Sequence, residues 1–597
     1  MAFFAFLSAQ AADDITLTAS VCPAPTAAQV AASASRPWQK PFAPGNATAV
    51  PCLADQPTIR RPLPLLALTA LAIGVTWWWL GKPVQLPPSP LAPGEKLYCL
   101  SYAPFRDGQT PLVENTQLTV AQIDEDLKLL ARYTDCIRTY SIEFGQDQIA
   151  AIAQRHGLKV LQGLWLSNKT ARNRAQIATV VALARKYPET IRAVIVGNEV
   201  LLRGELSLAD VQAAIREVKA QISQPVTYAD VWEFWLRYSD LKNDVDFVTI
   251  HILPYWEDFP LRASLAAAHI DAIRKRVAAA MPGKEIVIGE VGWPSQGRMR
   301  EGALPSPVNQ ARVIEDTLTL AKRENFHVNV IEAFDQPWKR RLEGSVGRYW
   351  GIIDRFSGQS KFTFGGAVSN HPHWFMQALA GVALAALTFA AAWLGGRGER
   401  APPYLWLRVA IIAFVSGVLF GWTIATVPIE GYRPGRLLRM LLLTLVAGAA
   451  PLLAAFACAA NQTVPAFAAF LGGGASGRGN LQRCVLGGVL IATFLLAVQS
   501  ALGLVFDPRY RDFDFAPLIA AIVPYLILTL STPLAKAARA NTSRPMAELV
   551  AAVVLALSAA YIAVNETFAN WQSMWLCAAL IGLAFTLQRA RVAPNSE

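Results

Sequence analysis

Two glutamates close apolar runs of the chain in the same manner. Glu199 follows the run AVIVGN, and Glu290 follows the run EIVIG. Short apolar runs of this kind are consistent with buried strands of a parallel sheet. Side chains at the carboxyl ends of such strands line the opening of a barrel fold. Two carboxyl groups that meet there can divide the chemistry between them, because one can donate a proton while the other acts as a base or nucleophile.

The elements that would position these acids form a regular series. Strand-like runs alternate with amphipathic helical patterns, which is typical of a parallel sheet in an α/β fold. Their number in residues 95–357 fits a (β/α)8 TIM barrel, usually ~250 residues long. An open doubly wound sheet is the alternative, but no glycine-rich phosphate loop follows the first run. The runs are Lys96–Pro104, Asp135–Ile142, Lys159–Trp165, Ala193–Gly197, Val226–Asp230, Asp246–Ile252, Glu285–Gly289 and Val328–Phe334.

Two of the intervening helical patterns begin after residues suited to capping a helix. Val120–Tyr133 follows Thr119, and Leu208–Ile222 follows Ser207. A hydroxyl at this position can accept a hydrogen bond from an unpaired amide of the first turn. We therefore expect both segments to be helices of the barrel's outer layer.

The rest of the chain has the composition of a membrane protein. Of 597 residues, 53% are hydrophobic and only 16% are charged, which is too apolar for an ordinary soluble enzyme. Residues 1–59 are predicted to be a disordered leader, 60–81 a transmembrane helix, and 82–94 a proline-rich linker. Residues 372–592 are predicted to be an all-α domain of seven more spans, giving about eight in total. These seven are 374–395, 405–426, 437–459, 484–505, 515–534, 547–565 and 571–588.

Basic residues beside these runs predict the orientation. Loops that face the cytoplasm are rich in arginine and lysine, and Arg60 and Arg61 precede the first run. With these two in the cytoplasm, most other basic clusters also face it, although Arg433, Arg436 and Arg439 do not. The barrel would then lie on the extracytoplasmic, periplasmic side of the inner cell membrane, anchored by several spans.

Charge and cysteine content exclude two classes of function. The net charge is +11, but many arginines lie beside apolar runs, so no nucleic-acid partner is expected. The seven cysteines form no C-x-x-C pair and have no histidine at ligand spacing, so no metal or other cofactor is expected. Cys99 and Cys136 would lie on neighbouring strands. We expect two unpaired thiols there, with a disulfide in an oxidising compartment as the alternative.

At the two glutamates, the sequence resembles glycoside hydrolase family 17, a family of β-1,3-glucanases with (β/α)8 barrels. The segment Lys284–Gly297, KEIVIGEVGWPSQG, resembles the family's nucleophile signature, and GNE at 197–199 resembles the acid/base motif of its clan. The segments IEAFDQPWK and VGRYWGIID resemble bacterial members linked to cyclic or branched β-glucan synthesis. The resemblance covers about residues 95–357 and implies a retaining enzyme with Glu290 as nucleophile and Glu199 as acid/base.

Residues near the two glutamates are candidates for substrate binding. By resemblance, Tyr255 would contact the nucleophile and Tyr102 would lie in the substrate site. Asn198 would bind the sugar 2-hydroxyl, and Arg138 would either orient Glu290 or form a purely structural ion pair. The tryptophans would stack on sugar rings or pack in the core and rim. The full candidate set is Asn198, Tyr102, Tyr255, Trp293, Arg138 and Trp338.

The two catalytic carboxyl groups of a retaining glycosidase lie ~5–5.5 Å apart. At that separation and an effective dielectric near 20, their repulsion is about 3 kcal/mol, or roughly two pKa units. We assign the shared proton to Glu199. It would protonate the leaving oxygen, and after Glu290 becomes a neutral glycosyl ester it would act as the base.

The leading hypothesis is a membrane-anchored glycoside hydrolase that cleaves or remodels β-1,3-glucan. Within it, hydrolysis competes with transglycosylation that forms β-1,6 linkages during cyclic or branched glucan biosynthesis. A glucan-export protein with an accessory barrel is a second hypothesis, and a binding module without catalysis is a third. The expected partners are a β-glucan polysaccharide or oligosaccharide, the lipid bilayer and a separate membrane glucan synthase.

Overall fold

The computed structural model describes residues 62–396, 402–467, 478–531 and 546–592. Its barrel is closed and consists of eight parallel strands that pair in chain order, with the last strand returning to the first. The predicted TIM barrel is therefore confirmed. The strands are Cys99–Ser101 (β1), Cys136–Arg138 (β2), Lys159–Leu164 (β3), Ile191–Asn198 (β4), Val226–Val231 (β5), Val248–His251 (β6), Ile286–Val291 (β7) and Val328–Val330 (β8). The predicted leader, residues 1–59, lies outside the described residues.

One helix precedes the barrel, and helices follow most of its strands. Both predicted caps are present, because Thr119 Oγ1 accepts from the Gln122 amide and Ser207 Oγ accepts from the Asp210 amide, each at 3.2 Å. The apolar faces of these helices pack on the outside of the barrel. The helices are Pro62–Leu80 (α1), Val120–Leu130 (α2), Ile149–Arg155 (α3), Thr170–Lys186 (α4), Leu208–Lys219 (α5), Trp232–Arg237 (α6), Ala263–Ala280 (α7), Pro307–Glu324 (α8) and Arg340–Glu343 (α9).

The barrel interior changes from apolar to polar along the strands. An apolar cluster that includes Cys99 and Cys136 fills the end where the strands begin. These cysteines form a disulfide with a Cα–Cα distance of 4.4 Å, so the expectation of two unpaired thiols was wrong. The pairing follows from β1 and β2 being neighbours with both side chains directed inward, which sequence spacing alone does not reveal. Towards the carboxyl ends, buried polar side chains such as Arg138, Asn198 and His251 replace the apolar ones.

In its described residues, the chain after the barrel folds into seven helices, which we call the helical block. Six of them, together with α1, are long and apolar enough to cross a membrane. The remaining helix, α14, has 16 residues, or about 24 Å at 1.5 Å per residue, against a ~30 Å hydrocarbon core. The helices are Trp374–Gly396 (α10), Pro403–Glu430 (α11), Pro434–Ala459 (α12), Arg478–Phe506 (α13), Phe515–Leu530 (α14), Met546–Glu566 (α15) and Trp571–Val592 (α16).

Small residues let the helices of the block approach closely. A Cβ placed on Gly381 of α10 would lie 2.4 Å from the carbonyl oxygen of Gly417 on α11, so only glycine fits at this crossing. Close backbone contact through small residues is the usual mode of helix packing in membranes.

Two of the three arginines that did not fit the predicted orientation are paired with carboxylates. Arg436 donates to Asp512 at 3.1 Å, and Arg439 donates to Asp514 at 2.8 Å. Both aspartates lie in the turn between α13 and α14. The third, Arg433, donates to the Arg341 carbonyl at 3.4 Å.

Candidate active site

The two glutamates singled out in the sequence meet at the opening of the barrel. Glu290 is the penultimate residue of strand β7 and is 5% exposed, whereas Glu199 comes directly after β4. One oxygen of each carboxylate and a ring nitrogen of His251 all lie within 4.8 Å of one another. Two carboxyl groups this close, one buried and one partly open to solvent, can act together on a single bond of a bound molecule.

The backbone at both glutamates is specialised to bring them together. Glu199 has a φ of +53°, a left-handed conformation that is uncommon for a residue other than glycine and is often found at functional sites. Next to Glu290, a Cβ on Gly289 would lie 2.4 Å from Thr249 Cγ2. Strands β6 and β7 can therefore approach at this level only because residue 289 is glycine.

Arg138, at the end of β2, connects the predicted site residues. Its Nη1 donates to Glu290 Oε1 at 3.0 Å, and its Nη2 donates to Asn198 Oδ1 at 2.6 Å. The arginine side chain is 1% exposed and that of Glu290 is 7% exposed. A buried carboxylate needs such a partner, because an isolated buried charge is costly. The planar guanidinium also fixes the orientation of both acceptors.

His251 lies between the two carboxylates, and its tautomer follows from its partners. Nε2 is 3.1 Å from Arg138 Nη2, and Nδ1 is 2.8 Å from Glu199 Oε1. Arginine can only donate hydrogen bonds, so Nε2 must accept. Nδ1 then carries the proton and donates it to Glu199. His251 therefore holds Oε1 of Glu199 and leaves the second carboxyl oxygen for another partner.

The pKa of Glu199 differs from the sequence-based expectation. Burial raises the pKa of this carboxyl, but the hydrogen bond from His251 and the guanidinium groups of Arg138 and Arg203 outweigh burial and hold the pKa below its ordinary value. The expectation that repulsion from Glu290 raises the pKa of Glu199 was therefore wrong. The reason is that Arg138, which contacts Glu290 directly, compensates the negative charge that would repel.

A second set of ionisable residues lies at and just after β8, and two of them, Lys339 and Glu343, were not among the predicted site residues. Lys339 forms an ion pair with buried Glu332. Burial and the negative charges of Glu332, Glu199 and Glu290 raise the pKa of Glu343 to about 7, although Lys339 opposes them. The signal available in the sequence was the short spacing of these residues just after β8.

Three aromatic residues that were predicted to bind substrate are buried in the protein and do not face the barrel opening. Tyr102 is fully buried and donates to Asp126 at 3.0 Å, while Tyr255 is fully buried and donates to the carbonyl of Arg298 at 2.9 Å. Trp293 is fully buried and donates to the Leu304 carbonyl at 3.0 Å. Their hydroxyl and indole groups point into packed protein, so the structure does not present them to the opening.

Other aromatic residues are closer to the carboxylates. Arg138 Cζ lies 4.6 Å from the centroid of the Tyr140 ring, and the negative charge of Glu290 contributes, after burial, to raising the pKa of Tyr140 well above its ordinary value. Trp165 is partly exposed beneath Arg203, which lies near Glu199. Trp338, one of the predicted residues, is also partly exposed and follows β8. Tyr140 and Trp165 could have been found from their positions just beyond β2 and β3.

Glu199, His251 and Glu290 also form a cluster of possible metal ligands. The two carboxylates and His251 have the donor types that a divalent cation uses. However, Arg138 already places a positive charge 3.0 Å from Glu290 Oε1, and its Nη2 is 3.1 Å from His251 Nε2. These atoms therefore have a cationic partner within the protein.

A closed (β/α)8 barrel with paired glutamates at the ends of its fourth and seventh strands belongs to the class of barrel glycosidases. Residues 99–351 match the family model of the BtgE/BtgC glycoside hydrolase domain. A probable family 17 glucosidase of Saccharomyces cerevisiae is 23% identical over 42% of this chain and 64% of its own length. A glucan 1,3-β-glucosidase of Candida albicans is 23% identical over 40% of this chain and 85% of its own length. Residues 99–351 thus match a glycoside hydrolase domain, and the relatives of this chain include a protein named as a family 17 glucosidase.

A solved structure with a similar fold is the family 17 β-1,3-glucanosyltransferase of Rhizomucor miehei. It is 24% identical and covers 44% of this chain and 95% of its own, with a TM-score of 0.40. The match to the family model ends at residue 351, before the helical block begins.

Proposed function

We propose that this protein is a membrane-bound retaining enzyme that cleaves β-1,3-glucosidic bonds in a glucan and transfers the released glycosyl unit to an acceptor. The observation that carries the proposal is the separation of at most 4.8 Å between oxygens of Glu199 and Glu290. Retaining glycosidases hold their carboxyl groups ~5–5.5 Å apart, whereas inverting enzymes leave room for a water at ~6.5–9.5 Å. Relatives named as glucan 1,3-β-glucosidases support the choice of glucan.

In the first step, Glu290 attacks the anomeric carbon from the face opposite the leaving sugar. The glycosidic carbon–oxygen bond breaks, and Glu199 gives its proton to the departing oxygen, which leaves a glycosyl ester on Glu290. Arg138 favours this role for Glu290, because its Nη1 donates both to Glu290 Oε1 and to the adjacent Gly289 carbonyl, which orients the carboxylate. Asn198, held by the same guanidinium, can donate to the sugar 2-hydroxyl.

The proton that Glu199 needs is acquired as the substrate binds. The side chain of Glu199 is 25% exposed to solvent. A sugar ring bound over this carboxyl group would remove the remaining water around it. Loss of water favours the neutral form of a carboxyl group. In the second step, ionised Glu199 takes a proton from the acceptor hydroxyl, whose oxygen attacks the anomeric carbon and releases Glu290. The acceptor is a sugar hydroxyl in transfer and water in hydrolysis.

We further propose that the long apolar helices cross the cell membrane and that the barrel lies on its extracytoplasmic side. The Cys99–Cys136 disulfide supports this side, because disulfides persist in oxidising compartments and are rare in the cytosol. Two of the three arginines that opposed this orientation, Arg436 and Arg439, form ion pairs with Asp512 and Asp514. A separate membrane glucan synthase would then supply the substrate.

The test uses the full chain in detergent with laminaripentaose, and the products are resolved by chain length. Products longer than the pentaose indicate transfer, only shorter ones indicate hydrolysis, and methylation analysis identifies a new β-1,6 linkage. An unchanged pentaose would contradict the proposed function. Replacing either glutamate by glutamine should reduce turnover by about 10²–10⁴-fold.

Azide can assign the two roles separately, with an aryl β-laminaribioside as donor. In Glu290→Ala, azide enters the space of the lost carboxylate and should give the α-glycosyl azide. In Glu199→Ala, the aryl group leaves without acid help and Glu290 forms the ester; azide then attacks from the Glu199 side and gives the β-glycosyl azide. The opposite pattern, or no azide product in either variant, would overturn the assignment.

A further inference from the structure

Two loops at the barrel opening are held by the helical block. The first follows β7 and Glu290. Its Arg298 is 3% exposed, forms an ion pair with Glu566 of α15 and donates to the Pro508 carbonyl. The amide of the next residue, Met299, donates to Gln572 Oε1 at 2.9 Å. These contacts bury a charged pair and main-chain groups of the barrel against the helical block.

The second loop follows β8 and carries Lys339 and Glu343. Just after them, the Ser345 hydroxyl donates to Asp512 in the turn between α13 and α14. Gly344 has a φ of +76°, and a Cβ there would lie 2.5 Å from the carbonyl oxygen of Tyr510. The backbone of the loop is therefore packed directly on the turn, which leaves it little freedom to move.

Together these contacts form a continuous path from the helical block to the carboxylate pair. Asp512 is held by Arg436 of α12 and in turn holds Ser345, two residues beyond Glu343. Four residues beyond Ser345, the Tyr349 carbonyl accepts a hydrogen bond from the Ser295 amide at 2.8 Å, and Ser295 lies in the loop that follows Glu290. A change at Asp512 can thus reach the reacting carboxylates through one short segment of chain.

We infer that Asp512 is a positioning residue for the glycosidase site, so that the helical block forms part of the catalytic apparatus as well as a membrane anchor. This inference rests on the proposed function. A buried ion pair that loses one partner leaves an uncompensated charge, and the loss of Asp512 also leaves the Ser345 hydroxyl without its acceptor. The loop then relaxes, and displacement of about 1 Å in a catalytic group can cost ~10²-fold in rate.

The chain offers a matched control at Asp514. This aspartate is also buried and pairs with an arginine of α12, Arg439, and it accepts from Ser500 of α13. Its partners all belong to the helical block, whereas Asp512 reaches the barrel. Asp514→Asn should therefore disturb the block as much as Asp512→Asn does, without releasing the catalytic loop.

The experiment compares Asp512→Asn, Ser345→Ala, the double variant and Asp514→Asn in the full chain in detergent. We expect Asp512→Asn and Ser345→Ala each to lower kcat about 10-fold or more with KM within about 2-fold. The double variant should be no slower than the slower single variant, because both changes break one contact. Asp514→Asn should lower the apparent Tm and leave kcat within about 2-fold of the unaltered chain.

Two outcomes would overturn the inference. One is unchanged kcat in Asp512→Asn and Ser345→Ala, and the other is a loss that Asp514→Asn matches. Hydrogen exchange of amides 340–349 gives a readout that needs no activity, and it should be faster in Asp512→Asn and Ser345→Ala only. If the unaltered chain were inactive on glucan, the proposed function would fail, while unchanged exchange in these variants would separately reject the positioning role.

Discussion

The guanidinium of Arg138 lies 3.0 Å from the carboxylate of Glu290, and both side chains are almost completely withdrawn from solvent. This pair joins the second and seventh strands across the barrel. It also ties Glu290 to Asn198 and His251, which share the same guanidinium. The site therefore forms one network in which the guanidinium of Arg138 compensates the charge of Glu290.

Replacing Arg138 by methionine should remove both orientation and charge compensation. We expect kcat to fall by about 10²-fold or more and the protein to lose about 3–5 kcal/mol of stability, because Glu290 is left buried without a partner. Turnover of laminaripentaose and the apparent Tm measure the two effects. Arg274→Met is the control, since its ion pair with Asp271 lies on helix α7. Turnover within 2-fold in Arg138→Met would contradict the proposed network.

The pH dependence of kcat/KM should respond to His251. The pKa of Glu199 is held below its ordinary value partly by the hydrogen bond from His251. A general acid must be protonated, so kcat/KM falls as pH rises through the pKa of Glu199 in the free enzyme. His251→Phe removes the donor, and this alkaline limb should therefore move to higher pH. His327→Phe is the control because His327 pairs with Glu285, and a limb that moves to lower pH would refute the explanation.

Trp293 and Trp338 were both predicted to bind sugar, and their replacement by alanine should have different effects on stability and on KM. Trp293 is fully buried, so Trp293→Ala should cost about 3–5 kcal/mol of stability. Trp338 is partly exposed near Lys339, and Trp338→Ala should mainly raise KM. Thermal unfolding and steady-state kinetics on laminaripentaose distinguish the two effects. A large loss of stability in Trp338→Ala without a change in KM would assign Trp338 to packing.

The disulfide should contribute to the stability of the barrel. It joins residues 37 positions apart, and closing a loop of that length typically stabilises a protein by about 2–4 kcal/mol. Replacing Cys99 and Cys136 together by alanine should lower the apparent Tm by several degrees. Cys484→Ala is the control, because Cys484 is a free, exposed cysteine. An equal Tm in the double variant and the control would show that the bridge adds no stability.

Local patterns were sufficient for the fold and for the carboxylate pair. Strand-like runs alternate with capped helical segments along residues 95–357, and the parallel barrel follows from that order. In such a barrel the ends of β4 and β7 must open on the same side, so Glu199 and Glu290 could be placed together from their positions alone. Apolar runs of sufficient length likewise indicated the helical block.

What the amino-acid sequence determined by itself is the order of elements and which residues stand at strand ends, because both depend on neighbours along the chain. Only the tertiary structure decided which way Tyr102, Tyr255 and Trp293 face and that Cys99 and Cys136 form a disulfide. It also decided that the pKa of Glu199 is lowered and that the helical block holds the loops after β7 and β8. These features depend on charges and contacts between residues far apart in the chain, and no local pattern records them.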